Sequence, residues 1–402
     1  MILALAFAGS LAAQSAFARG LTDLYAYAGA DAADAFVQAE QADPGAILAY
    51  WGEALARGSD LNTGLTAARF ADAQHAIEKA SPYLAGANAP DRALVEAVAQ
   101  RYAGTFADRD RDETAYRTAM EAYVAQYPHD DDAATILVED LMERHGMTWN
   151  EDDTPAGDTA AEILRLLQGA LTDNPQHVFA NHLCIHVYDN APDRTPAIPC
   201  AQRLDAMAFV PPQEHLAHMP AHTWIELGDG KAAILSTQRA WALGPARYAA
   251  HDAYVGLAAA LMCGDTADAV VWQERLGAAE GTHVDLARPP ALVQARAHEA
   301  SGDVAGAITI LQRQIDAQAS LTELVPFYPA DEALGALLLR AKRYADARDA
   351  FAAILAHHPR RPRALFGMSV ALDALGEKQA AQQYRKQFEH YWAGSTLTID
   401  DF

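Results

Sequence analysis

Beyond residue 20, apolar positions recur three and four apart almost without interruption, and alternating β-branched runs are absent. Alanine, the strongest helix former, fills many of the positions between. The pattern predicts helices over 31–42, 46–57, 65–81, 92–102, 113–126 and 131–144, then over 159–172, 179–188, 201–208 and 220–228. Their ends carry the punctuation that stops a helix: Asp43-Pro44, Gly58, Tyr127-Pro128, Asn174-Pro175 and Pro211-Pro212. Residues 148–155 (TWNEDDTP) are polar and turn-rich and predict a loop, and three prolines in 191–199 exclude a continuous helix there. Pro220 suits a first helical position, where its missing N–H would be unpaired anyway. The run Asp130-Asp131-Asp132 places negative charge where a helix dipole favours it.

The helices come in pairs. Residues 31–42 and 46–57 form a helix–turn–helix with small residues at the crossing. Near the C-terminus, Arg343-Tyr344-Ala345-Asp346-Ala347 and Glu377-Lys378-Gln379-Ala380-Ala381 stand about 34 residues apart, the tetratricopeptide period. Pro359 closes one unit, and 302–311 (GDVAGAITIL) opens the second helix of an earlier one. Such a pair cannot bury its apolar face alone, so pairs stack on one another. The expected fold is all-α: tetratricopeptide-like helix–turn–helix repeats stacked as a curved α-solenoid. The expected organisation is a signal peptide (1–18), N-terminal helical repeats (19–146), a central helical region with a histidine cluster (147–260), C-terminal tetratricopeptide repeats (261–393) and a polar tail (394–402).

Composition narrows the partners. Of 402 residues 51% are hydrophobic, which excludes disorder over most of the length. The 53 acidic residues outnumber the 30 basic ones, for a net charge of −23. Such a field repels phosphate backbones, so no nucleic-acid partner is expected. Residues 1–18 (MILALAFAGSLAAQSAFA) are apolar and small and end in Ala16-Phe17-Ala18, an A-x-A cleavage pattern, although no Lys or Arg follows Met1. A short buried helix is the structural alternative. No later run reaches the length of about 18 apolar residues that a membrane span needs. The expected location is periplasmic or secreted. Cys184 and Cys200 flank a predicted loop, a placement compatible with a disulfide in an oxidising compartment but not compelling one. Cys263 sits in an apolar run and is expected to be a small buried hydrophobe.

The chemistry concentrates in 181–222, which holds His182, His186, His215, His218 and His222 out of 15 histidines in the chain. His182 and His186 are four apart and share a helix face, which Asp189 joins if the helix lasts that far. Two imidazoles and a carboxylate on one stripe make a common ligand set for a divalent transition metal: zinc, iron, manganese or copper. His218 and His222 are also four apart, with Pro220 between them, so His218 belongs to the approach and His222 to the first helical turn. His215 lies just upstream. His251 opens a further helix and is followed by Asp252. The candidate metal ligands are therefore His182, His186, Asp189, His215, His218, His222 and His251, with His182, His186, His218 and His222 the first choice. They exceed the needs of one four-coordinate ion. Either one metal uses some while the others orient them by hydrogen bonds, or two metals are bound. The bland alternative is a set of satisfied core and helix-terminal histidines. No catalytic residue is assigned.

Weaker candidates are Trp51 and Glu53, on the concave surface or packed between helices; Asn62, at a turn; the aromatic loop 326–329; and His357-His358, at a solvated helix end. His75, His129, His145, His177, His283, His298 and His390 lack close partners in sequence and receive no role.

Four segments together resemble a family of bacterial tetratricopeptide-repeat proteins, mostly of unassigned function. The family carries an AMAYWGEA-like segment, an NHYYIHAVE-like segment, GHLVHMPSH and a later HN. Here they stand as LAYWGEA (48–54), NHLCIHVYD (181–189), EHLAHMPAH (214–222) and His251-Asp252. The likeness spans nearly the whole chain, including DRALVEAVAQRYA (91–103) and FEHYWAG (388–394). This chain departs from the pattern at Asp189, where the family has Glu, and at Asp252, where it has Asn. The resemblance supports the histidine constellation and names no reaction. The expected function is a secreted or periplasmic tetratricopeptide-repeat protein that binds a transition metal through its histidine cluster and serves as a scaffold, holding a protein or peptide in its concave groove. The alternatives are a metal-dependent hydrolase or oxidoreductase with a mono- or dinuclear site, and a periplasmic metal carrier.

Overall fold

The computed structural model describes residues 9–244, 247–279, 289–318 and 328–392. Among them there is no β-strand, only the isolated bridges Asp60–Thr63 and Trp149–Pro155. The polar tail expected at 394–402, and residues 326 and 327 of the aromatic loop 326–329, lie outside the described residues.

The chain divides into two compact units, 1–150 with 154–187 and 208–216, and 151–153 with 188–207 and 217–402. The first contains α1 (Leu11–Tyr25), α2 (Gly29–Ala42), α3 (Leu48–Arg57), α4 (Ala67–Ala80), α5 (Ala89–Arg101), α6 (Arg109–Gln126), α7 (Asp131–His145), α8 (Asp158–Asp173) and nearly all of α9 (Val178–Tyr188). The second contains α10 (Ile198–Ala206), α12 (Pro220–Leu227), α13 (Gly230–Ala242), α14 (Ala249–Cys263), α15 (Thr266–Ala278), α16 (Pro289–Ala300), α17 (Val304–Gln318), α18 (Ala330–Arg340), α19 (Tyr344–His357), α20 (Pro362–Ala374) and α21 (Lys378–Tyr391). The division falls within the five-residue helix α11 (Glu214–His218).

Within each unit most helices pack on a sequence neighbour, and alternate helices also touch: α1 with α3 and α3 with α5 in the first, α12 with α14, α14 with α16, α16 with α18 and α18 with α20 in the second. That pattern defines stacked helical hairpins, the all-α tetratricopeptide-like repeat. The sequence supplies the crossing points. Phe36 of α2 presses into Gly20 of α1 and Gly52 of α3, and a Cβ at either glycine would overlap its ring. Phe351 of α19 does the same between Gly335 of α18 and Gly367 of α20, at identical spacing. Trp272 of α15 fills the same place against Gly256 of α14.

The predicted helices are present with ends displaced by a few residues. Residues 11–18, expected within a leader, form the start of α1, where Ala13, Ala16 and Phe17 are buried and Phe17 meets Phe36 edge to face at 5.5 Å. Trp51 is wholly buried between helices. Glu53 is buried in an ionic cluster, with Arg57 Nε at 2.8 Å and the Lys79 ammonium shared with Glu40 of α2. Cys184 and Cys200 are both disulfide-bonded, and Cys263 is in no disulfide and is only partly buried.

Candidate metal centres

The six clustered histidines fall into two sets of three, His182 with His186 and His215, and His218 with His222 and His251. Within each set one ring nitrogen per residue lies within 4.8 Å of the others. The grouping differs from the four first-choice ligands: His215 joins the α9 pair, and His251 joins the pair around Pro220. Sequence spacing alone could not make this division, because each third ligand comes from a distant stretch.

In the first unit, α9 supplies His182 and His186, one turn apart, and the first turn of α11 supplies His215. His182 is fully buried, and its Nδ1 lies 2.7 Å from the backbone carbonyl of Tyr25, to which it donates. That carbonyl belongs to the last turn of α1, where helical acceptors lack partners of their own. The bond fixes the tautomer and leaves the Nε2 lone pair of His182 facing Nε2 of His186, 3.1 Å away. Tyr25 is itself held. Its ring stacks on Phe179 at 4.5 Å, and its hydroxyl donates to Asp132. His177 Nε2 donates to the same carboxylate at 3.0 Å, while its Nδ1 accepts from the Ala180 amide at 3.2 Å. Burial first, then the Asp132 charge, raises the Tyr25 pKa well above its usual value, so this phenol keeps its proton. His215 is positioned from two sides. Gln213 donates to Asp23 of α1 at 2.9 Å, and Asn62 reaches His215 Nε2 at 3.5 Å. Tyr27 covers the group, with ring centroids 4.8, 5.4 and 6.3 Å from His182, His215 and His186. Its φ of 55° lies in the left-handed region, which costs an aromatic residue energy and persists where surrounding packing demands it.

In the second unit, His218 closes α11, His222 lies in the first turn of α12 and His251 in the first turn of α14. Nε2 of His222 is 3.1 Å from Nε2 of His251. His218 is fully buried, and burial together with His251 and His222 drives its pKa well below the usual value, so the ring is neutral. Its Nδ1 is 3.1 Å from Oδ1 of Asp252, also fully buried, although the pair is not aligned as a hydrogen bond. Its Nε2 is buried without a hydrogen-bond partner.

Both sets suit a metal on their own chemistry. A tetrahedral ion with metal–nitrogen bonds of about 2.0–2.1 Å holds its ligand nitrogens about 3.3 Å apart. The His182–His186 and His222–His251 separations of 3.1 Å are close to that. A buried imidazole nitrogen with no partner, as on His218, carries a desolvation cost that a cation removes. Three imidazoles leave one position of a four-coordinate ion open.

Asp189 joins neither set. It lies one residue beyond the end of α9 at Tyr188. Its backbone carbonyl instead accepts from Arg194 Nε at 2.9 Å. Tyr25, Tyr27, Asp132, Gln213 and His177 were not legible as site residues, and Asn62 was only a weak candidate at a turn. None has a motif, and all reach the site through tertiary contacts.

No family model matches the chain, and no curated protein matches it. Among solved structures it is similar to the "P58(IPK) TPR Domain", at 16% identity over 94% of this chain and 93% of that one, with a TM-score of 0.26. Yeast Tom70 is 11% identical over 95% and 85%, with a TM-score of 0.34. Human IFIT1, solved as a dimer with m7Gppp-AAAA, is 15% identical over 92% and 69%, with a TM-score of 0.29. At scores this low the likeness carries nothing about partners or activity.

Proposed function

We propose that this chain is a secreted or periplasmic helical-repeat protein that binds a divalent transition metal at two three-histidine centres and presents its repeats as a scaffold for a protein or peptide. The observation that carries the reading is the sorting of six histidines into two compact sets, each with a nitrogen–nitrogen approach of 3.1 Å. The scaffold role rests on the repeat architecture, whose stacked hairpins form extended binding surfaces in other solenoids. Membership of the bacterial tetratricopeptide family with the NHxxIHxxE and HxxHMPxH segments is supported by where those segments fall. NHLCIHVYD carries His182 and His186, EHLAHMPAH carries His215, His218 and His222, and the later pair is His251-Asp252. Export is supported by two disulfide-bonded cysteines and by the leader-like residues 1–18. The packing of Phe17 makes the opposite demand on residues 11–18, and the intact mass of the exported chain decides between them.

A metal-dependent hydrolase or oxidoreductase is the second reading, favoured by the three-ligand count, which leaves a coordination position for substrate or water. Bound there, a divalent metal would polarise that group or lower the pKa of water. The protein's part is then to hold each imidazole in one tautomer, as the Tyr25 carbonyl does for His182, and to limit water, as Tyr27 does.

The test is elemental analysis of untagged protein purified without chelators. Two ions per chain are expected, falling to one in His186→Ala and to one in His222→Ala, with helicity retained. Absence of metal after reconstitution with zinc, iron, manganese and copper would remove both readings.

A further inference from the structure

The first unit contains a second polar feature that the metal centre does not use. A small cavity of about 20 Å³ is lined by Tyr27, Ser59, Asp60, Glu139, Asp140 and Glu143. That volume admits a single group the size of a water molecule. The wall is acidic beyond what its neighbours neutralise. Arg101 also borders the cavity, but its guanidinium is engaged by Glu113 at 3.0 Å, Glu143 at 3.4 Å and Asp140 at 3.5 Å. Arg144 is directed to Glu113 as well, at 2.6 Å. Among the described residues no Lys or Arg is within ion-pair distance of Glu139, whose Oε1 is buried and makes no hydrogen bond; Arg101 acts on it only from farther off.

Two further groups are poised toward a missing partner. Ser59 is 7% exposed, and its hydroxyl is buried with no hydrogen bond. Asp140 is 3% exposed, and its Oδ2 is likewise unsatisfied. Leaving such groups unpaired is unfavourable, more so for charged ones. Burial, reinforced by Asp60 and Glu143, pushes the Glu139 pKa well above the usual carboxylate range, the behaviour of an acid whose counter-charge is missing.

The cation that fits is not a bare metal. Among the described residues only the two histidine sets bring three ligand atoms within 4.8 Å of one another, so the carboxylates here are too spread to share one ion. Calcium holds its oxygens at about 2.3–2.6 Å, which demands a tighter cage. An ammonium group reaches acceptors at about 2.7–2.9 Å through separate N–H bonds and tolerates a hydroxyl beside carboxylates. We propose that this cavity binds the primary ammonium group of an organic amine, with Glu139 as its counter-charge and Ser59 Oγ and Asp140 as hydrogen-bond acceptors. Tyr27 both lines the cavity and covers the first histidine set, so an amine bound here lies beside the metal centre. The proposal does not rest on metal being bound.

The experiment uses the full chain freed of metal by a chelator, so that its outcome is separate from that of the metal reading. Calorimetric titration with methylammonium and n-butylammonium chloride should show saturable binding at millimolar concentration. Tetramethylammonium and sodium chloride at equal ionic strength should show none, because neither offers N–H donors. Glu139→Gln should weaken n-butylammonium at least tenfold, and Ser59→Ala several-fold, with circular dichroism unchanged. If Glu139→Gln fails to fold, Ser59→Ala carries the comparison. Equal response to tetramethylammonium, binding of calcium in place of the amines, or unchanged affinity in a folded variant overturns the proposal.

Discussion

Asp252 sets its carboxylate 3.1 Å from Nδ1 of His218, with both side chains wholly buried. A carboxylate that accepts the outer N–H of a ligand imidazole orients the ring, and losing such a partner costs about 10–100-fold in metal affinity; Asp252 is near enough to take that part once a metal holds Nε2 of His218. Asp252→Asn is therefore expected to weaken the second centre by that range and leave the first unchanged. Competition against a chromophoric chelator, resolving two binding events, measures it. Equal weakening of both events would count against the two-centre grouping.

Metal depletion should destabilise the fold. A ligand present at about 100 times its Kd contributes about 2.7 kcal/mol to the state that binds it. In a unit of this size that is a fall in Tm of about 5–10 °C on chelation. Differential scanning calorimetry with and without chelator, then with zinc restored, reports the shift; a Tm indifferent to metal would contradict it.

The glycine–aromatic crossings should resist the smallest enlargement. Gly52→Ala forces a methyl into Phe36, and Gly367→Ala does the same to Phe351. Overpacking of this kind costs about 1–3 kcal/mol. Gly169→Ala on α8, where a Cβ meets nothing, is the control and should be neutral or slightly stabilising. Urea denaturation of the three variants separates these outcomes.

The acidic cavity gives the first unit a pH signature. Burial, then the neighbouring Glu113, pushes the Asp140 carboxyl up to about 8. Its folded pKa stands above its unfolded value, so its contribution is fully present at acid pH and is lost as pH rises through about 8. Stability measured by urea should fall from about pH 4 to about pH 8 and level off above, and Asp140→Asn should flatten that fall. A slope identical in the variant would assign the effect elsewhere.

Helical periodicity made most of the fold legible, because alanine-rich amphipathic runs with Pro and Gly stops leave little choice of element. α1 was not legible as a core helix, since small apolar residues serve equally as a leader and as a buried helix. Within the site, the pair His182 and His186 followed from four-residue spacing, and the first-turn place of His222 from Pro220. The third member of each set did not follow, because His215 meets its partners through Gln213 and α1, and His251 through the docking of α14. Asp189 was named from the same helical stripe, but α9 ends one residue before it and it stands outside both compact sets.

Tyr27 touches three imidazole rings with one face of its environment and the acidic cavity with another. Whatever settles on one side meets the same ring from the other. Thermodynamic reciprocity then applies: if zinc at the histidines changes amine affinity by some factor, the amine must change zinc affinity by that same factor. A single side chain in an uncommon backbone conformation would thus set the sign of cooperation between two ligands of unlike chemistry.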